Sequence, residues 1–253
     1  MDDFLTVDGL KMGLQEAIRR DILHDNEFVT RSIEALLIRK YAEENGIENT
    51  KDELQTAADE MRYLRGLESK AETMQWLENN HQTLASIENA LDYQLLRNKV
   101  RNSFPEEELR AYFADHQPAF DRVELYSIRV DRRPVAEELY AQITEDGLSF
   151  YEAAVEYSED EDTAPKGGYV GMLTRSDVTG KIEAAVFDAD DGDIVGPMET
   201  DAGWNLFLVQ QVQHPDFEAV ESEVQFRVFE DLIATLKAEA DIQYEVFEED
   251  ESA

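Results

Sequence analysis

The sequence predicts an α+β chain: a small antiparallel-type sheet with surrounding helices, attached to a helical unit that the C-terminal helix completes. Three observations predict it. Before Asp121 the apolar residues recur at helical spacing. From Val123 to about Gln213, strand-like and helix-like stretches alternate. After His214 helical spacing returns. These changes divide the chain into segments 1–121, 122–214 and 215–253.

The leading "FLTVDGLKM" reads as a short extended segment with a turn at Asp8-Gly9. In "EFVTRSIEALLIRKYAEENGI", Phe28, Ile33, Leu36, Leu37 and Tyr41 fall on one helical face, and Gly46 is the stop. Thr50 with Glu53 forms a capping box ahead of "LQTAADEMRYLRG". The stretch from Glu72 to Arg101 reads as a short helix and a long one, with Ile87, Leu91, Leu95 and Val100 as the long helix's stripe. Ser103, Pro105 and Glu106 supply an N-cap, an early helical proline and a box acid for the next helix.

Beyond Asp121, "VELYSIRV" alternates as a strand, with Val123, Leu125, Ser127 and Arg129 on one face. "RPVAEELYAQITEDG" is a helix closed by Gly147, and Ser149 with Glu152 boxes a second, "FYEAAVEYS". "GYVGML" is a short strand, "KIEAAVFDA" a short helix followed by an acidic turn, and "GWNLFLVQQVQ" a final strand. The tail is a long amphipathic helix carrying Val220, Val224, Val228, Leu232 and Leu236, then a short strand.

Composition narrows the function classes. The chain has 253 residues, 23 basic and 58 acidic, for a formal charge of −35. Neutralising a phosphate backbone needs clustered Lys and Arg, so nucleic acid is excluded as a partner class, and anionic membranes are disfavoured. Such acidity serves solubility or salty surroundings, or it attracts a basic peptide. The apolar runs are far too short to insert in a membrane. The first residues lack a basic region followed by an apolar one, so a cytoplasmic location is expected. With no cysteine there is no disulfide and no thiolate metal site.

Neither acidic loop suits a metal. "DEDTAP" places Ala164 and Pro165 where an EF-hand needs a ligand and a glycine. "DADDGDIVGPME" matches acids at Asp188, Asp190 and Glu199, but its glycine comes one position early and Pro197 interrupts it. "GGYVG" follows acids that would repel a phosphate. None of the four histidines, His24, His81, His116 and His214, lies in a nucleophile elbow. No metal is therefore expected.

What is specific is the order of linked motifs. "SFYEAAVEYSED", then "KGGYVGML", then "KIEAAVFDADDGDIVGPMETDAGWNLFLVQ" resembles the parvulin-type (PpiC, rotamase) peptidyl-prolyl cis-trans isomerases. The anchors are Phe150–Ser158, Gly167–Gly171, Ala185–Phe187, Gly192–Thr200 and Gly203–Asn205. The helical flank before Asp121 and the tail "ADIQYEVF" resemble the chaperone part of SurA-like and PrsA-like foldases. The resemblance implies a parvulin-like domain on a helical chaperone domain, no cofactor, and a client that is a proline-containing peptide or unfolded protein segment.

The family's chemistry lowers a barrier of roughly 18–20 kcal/mol to rotation about an X-Pro bond by favouring the twisted amide, with no bond broken. Carried over position by position, the polar group beside the substrate falls on Asp160 and the threonine on Thr200. The proline-pocket positions are Val170, Val178 and Ile182, with Leu173 alongside. The two core histidines are replaced by Ser127 and Asn205, which can hydrogen-bond across the domain but cannot titrate as imidazoles. The resemblance therefore implies an isomerase-like foldase whose turnover is weak or lost. A non-catalytic escort module for a precursor peptide or partner protein is the alternative. The acids Glu159–Asp162 stand where basic-loop members select acidic substrates, so basic or neutral peptides are the expected preference.

Overall fold

The computed structural model describes residues 3–7, 10–23, 26–178 and 180–243. The turn at Asp8-Gly9, His24 and the strand-like stretch from Tyr244 to Phe247 lie outside these residues. The chain divides into two compact units, residues 1–109 with 225–253, and residues 110–224.

The first unit opens with β1 (Asp3–Val7) and β2 (Leu10–Gly13), an antiparallel pair. Helices α1 (Leu14–Leu23), α2 (Glu27–Glu44), α3 (Lys51–Leu64), α4 (Lys70–Asn79) and α5 (Leu84–Arg101) follow. The expected capping box starts α3: the Glu53 N–H donates to Thr50 Oγ1 at 3.2 Å, and the Thr50 N–H donates to Glu53 Oε2 at 2.7 Å. Ser69 with Glu72 and Thr83 with Ser86 do the same for α4 and α5.

The face that α2 buries differs from the expected one. Val29, Ile38 and Ala42 are buried, whereas Phe28 is 57% and Leu36 70% exposed. "ALLI" is apolar at four successive positions, each turned about 100° from the last, so several faces qualify. Packing selects the one that meets Leu96 and Val100 of α5 and the buried Phe229.

Helix α6 (Glu106–His116) spans the boundary between the units. Its start also differs from expectation. Ser103 turns back and donates from Oγ to the Val100 carbonyl at 2.8 Å, so it closes α5 instead of capping α6. The N–H groups of Glu108 and Leu109 bond to the Pro105 carbonyl, so the helix begins after the proline. Three glutamates in the first turn suit its positive end.

The second unit is built on a four-stranded sheet. Its elements in chain order are β3 (Arg122–Val130), α7 (Arg133–Thr144), α8 (Phe150–Tyr157), β4 (Tyr169–Thr174), α9 (Gly180–Phe187), β5 (Ile194–Thr200) and β6 (Gly203–Gln213). All pairings are antiparallel, in the order β4-β3-β6-β5. The sequence pattern predicts only an acidic turn before Gly203. That turn is confined to Asp190–Asp193, and β5 follows it. Gly and Pro inside "IVGPMET" hide the strand's alternation, and its place at the sheet edge tolerates them.

The sheet is covered on both faces. Ile128, Val130, Leu206 and Leu208 pack with Ala136 and Leu139 of α7 and with Phe150, Ala153 and Ala154 of α8. On the other face Val123, Leu125, Phe207 and Val209 pack with Val178 and with Val186 and Phe187 of α9. Finally α10 (Phe217–Glu239) begins in this unit, with Val220 and Val224 buried, and ends in the first, where Phe229 and Leu232 join the helical core. Among the described residues no helix is long and apolar enough to cross a membrane.

Candidate functional site

Strand alternation puts Ser127 and Arg129 on the α9 side of the sheet, in line with Val123 and Leu125. In the β3–β6 register Ser127 lies opposite Phe207 and Arg129 opposite Asn205. Residues directly opposite share a face, so Ser127, Arg129, Asn205 and Phe207 line one side.

The two polar replacements do not pair with each other. Asn205 is 8% exposed, and its Nδ2 donates to Thr200 Oγ1 at 2.8 Å. The Thr200 hydroxyl donates to the Gly203 carbonyl at 3.0 Å and accepts from the Ala202 N–H at 3.2 Å. One donor and two acceptor sites are thus all used. Ser127 is 7% exposed and sits two residue pairs away from Asn205 along the ladder, the next position on the same face. The expectation that they hydrogen-bond across the domain is therefore corrected: the register offsets them diagonally, and Thr200 takes the amide.

Ser127 instead anchors the loop through its backbone. Its N–H donates to the Gly168 carbonyl at 2.8 Å. Gly168 has φ +87°, and a Cβ there would lie 2.5 Å from the Ser127 carbonyl oxygen and 3.0 Å from Ala154 Cβ. The double glycine is therefore a close-approach joint that seats the acidic loop on β3 and α8.

Asp160 reaches the same side through Arg129. Its carboxylate lies 3.8 Å from Arg129 Nη1 and accepts the Asp162 N–H at 3.1 Å. Arg129 Nη2 donates to the Glu159 carbonyl at 2.8 Å, and the Arg129 N–H donates to Ser158 Oγ at 3.1 Å. Arg129 is the site residue that the motif comparison passes over. Period-two alternation with Ser127 is the signal that finds it.

Three of the four apolar positions converge. Val178 is buried, and Leu173 and Ile182 are half-buried against the cluster that contains Phe207 and Met198. Val170 stands apart. It falls in the irregular stretch of the β3–β4 register between Tyr169 and Gly171, and it is 40% exposed.

An ion network holds α9, which carries Ile182. Asp121, 4% exposed, accepts from Arg175 Nη2 at 3.0 Å and Nε at 3.2 Å, and its other oxygen meets His214 Nδ1 at 2.8 Å. Arg175 also donates to Glu183 on α9 at 2.5 Å and lies 4.4 Å over the Phe187 ring. Burial pulls the Arg175 pKa down, but hydrogen bonds to Glu183 and Asp121 outweigh that and hold it above its usual value. Nothing in the sequence points to this network, because Asp121 and Arg175 meet only through the fold.

Among the described residues no group of three His, Asp or Glu side chains is placed to hold a metal. The arrangement offers a small apolar surface bordered by amide, hydroxyl, carboxylate and guanidinium groups, suited to holding a short uncharged segment by shape and hydrogen bonds.

Part of the chain matches a known protein family. Residues 129–211 match the family model for rotamase, the PPIC-type PPIase domain. The foldase protein PrsA of Halalkalibacterium halodurans is 28% identical over 144 residues, covering 54% of this chain and 43% of that protein. PrsA of Clostridium acetobutylicum is 23% identical over 227 residues, covering 83% of this chain and 68% of its own length. The chain spans about half the length of the first curated relatives it matches. The crystal structure of the peptidylprolyl isomerase PrsA from Bacillus anthracis superposes with a TM-score of 0.51 at 19% identity, over 86% of this chain and all of that one. PrsA from Bacillus cereus gives 0.51 at 14% identity, over 96% of this chain and 94% of that one. Residues 129–211 are thus a PPIC-type rotamase domain of the parvulin kind, set in a PrsA-like order of helical and parvulin-type units along the chain.

Proposed function

We propose that this protein is a parvulin-type foldase that binds unfolded or proline-containing peptide segments, with slow peptidyl-prolyl isomerase turnover. One observation carries this reading: Leu173, Val178 and Ile182 gather over Phe207 on the sheet face that Ser127, Arg129 and Asn205 border. A proline ring fits the apolar part. Asn205 Oδ1 and the Asp160 carboxylate are the polar groups assigned to face the amide to be twisted, and Val170, 40% exposed, is assigned as an outer contact. Turnover is slow because no imidazole stands at either strand position and the Thr200 hydroxyl is already saturated. A protease-free isomerisation assay on a proline tetrapeptide tests it. The expected rate enhancement is at least about tenfold below that of a parvulin with both histidines, lowered further by Asp160→Ala and Ile182→Ala. Turnover equal to that of such a parvulin overturns the slow assignment, and indifference to both changes overturns the site.

The second reading is an escort that binds without turnover, and an apolar cavity in the helical unit favours it. A space of about 560 Å³ is bordered by Ile18, Phe28, Ile33, Leu36 and Leu37. Phe28 and Leu36 are exposed there, and large exposed apolar side chains in a concavity mark a binding surface. Aggregation suppression that survives Asp160→Ala and Ile182→Ala but falls with Phe28→Ser and Leu36→Ser places client binding in this unit.

A further inference from the structure

The face of the sheet turned away from the rotamase pocket carries a second cluster of binding chemistry. Tyr126 of β3 is flanked by two other tyrosines. Its ring centroid is 5.1 Å from that of Tyr151 on α8, edge-on at 81°, and 5.1 Å from that of Tyr169 on β4, tilted at 58°. Tyr151 is 42% and Tyr169 40% exposed, and Met172 beside them is 42% exposed. Tyrosine rings this exposed in a contiguous group exceed what solubility or folding needs.

One hydrogen bond fixes the cluster, and other polar groups in it are left unused. The Tyr151 hydroxyl donates to Gln210 Oε1 at 2.7 Å, which sets that ring and leaves the amide nitrogen of the exposed Gln210 without a hydrogen-bond partner among the described residues. Among the described residues the hydroxyls of Tyr126 and Tyr169 and the carboxylate of Glu124 have no hydrogen-bond partner. Glu124 lies two residues from Tyr126 on the same strand face, opposite Met172. On α8, Glu152 and Glu156 are exposed next to Tyr151 and Val155.

Rigid aromatic ridges with free donors suit a polyproline II segment, whose carbonyls make no internal bonds and whose proline rings stack on aromatic faces. The Glu124 carboxylate and the exposed Glu152 at the margin add a preference for Lys or Arg, which also interact with tyrosine faces. The geometry points to a second peptide site, formed by Tyr126, Tyr151, Tyr169 and Gln210, that docks a basic, proline-rich extended segment. It lies on the opposite sheet face from Ile182 and does not depend on isomerase turnover. Its effect is to tether a client whose other prolines reach the rotamase pocket, raising their effective concentration.

The test is calorimetric titration of the full chain with a twelve-residue Pro-rich peptide carrying two Lys, against versions with Lys→Gln and Lys→Glu. Binding is expected in the order Lys, Gln, Glu. The double change Tyr151→Ala with Tyr169→Ala is expected to weaken the Lys peptide by about tenfold or more, the loss of roughly 1.4 kcal/mol. Amide chemical-shift changes in the unaltered protein give a readout free of folding effects, and they are expected at Tyr126, Tyr169 and Gln210. No binding of the Lys peptide, shifts confined to α9 and β5, or loss with Ile182→Ala but not with the tyrosine changes overturns the proposal.

Discussion

Asn205 spends its amide on Thr200, not on Ser127: Nδ2 lies 2.8 Å from Thr200 Oγ1, and the Thr200 hydroxyl is in turn bonded to Gly203 and Ala202. The two buried polar side chains on this face therefore carry unequal weight. Thr200→Val removes one donor and two acceptor contacts and is expected to lower stability by about 1–2 kcal/mol. Ser127→Ala deletes a hydroxyl that has no hydrogen-bond partner among the described residues and is expected to stay within about 0.5 kcal/mol. Urea unfolding of both variants measures the difference. Equal losses would mean that the Ser127 hydroxyl contributes as much to the fold as that of Thr200.

The Asp121–Arg175–Glu183 network ties the start of β3 to α9. Arg175→Ala leaves the buried Asp121 carboxylate with His214 alone, and the loss of one partner is expected to cost up to about 3 kcal/mol. Because Ile182 rides on the same helix, peptide affinity at the rotamase pocket is expected to fall with stability. Isothermal titration beside thermal melting separates the two. Unchanged affinity in a protein still folded at the assay temperature would show that α9 is held by its apolar face alone.

Gly168 and Gly147 both have positive φ, +87° and +78°, but only Gly168 has backbone in its way. Gly147→Ala is expected to cost about 1–2 kcal/mol for the left-handed conformation. Gly168→Ala adds a clash with the Ser127 carbonyl and is expected to cost at least about 1 kcal/mol more. It should also loosen the loop that presents Asp160. The ordering of the two denaturation midpoints checks this, and a reversed order would rule out the joint.

In the helical unit, the hydrogen bond from Lys99 and those from the Thr50 backbone and hydroxyl depress the Glu53 pKa to about 2. A carboxyl depressed in the folded state stabilises fully above its unfolded value, near 4.5, and that contribution is lost as pH falls towards 2. Glu53→Gln is expected to remove this part of the acid dependence and leave stability flatter between those pH values. Melting temperatures followed from pH 6 to pH 2 decide it, and parallel curves for the two proteins would exclude Glu53 as the source.

Much of the fold is legible from local signals. The box of Thr50 with Glu53 marks α3, and the alternation Val123, Leu125, Ser127, Arg129 marks β3 and its face. The linked glycine, proline and aromatic anchors from Phe150 to Asn205 mark the rotamase domain. The misses share a cause, which is that partners distant in sequence decide them. Helix α1 lies in "LQEAIRRDIL", which carries no cap signal. Leu36 is exposed because α5 and α10 lie on the other side of α2. Ser103 closes one helix where the motif has it opening the next. Val170 falls in a register irregularity of β3 with β4, which no spacing rule detects.

Residue type, period and short-range order are enough for most element types, the absence of thiol chemistry, the strong negative charge and the family to which residues 129–211 belong. The fold in three dimensions adds that Asn205 bonds Thr200, that Arg129 connects Asp160 to the site, that Asp121 and Arg175 lock α9, and that three tyrosines from β3, α8 and β4 meet on one face. Those relations join residues from separate elements, and strand register together with side-chain packing selects them from many pairings that local pattern leaves equally open.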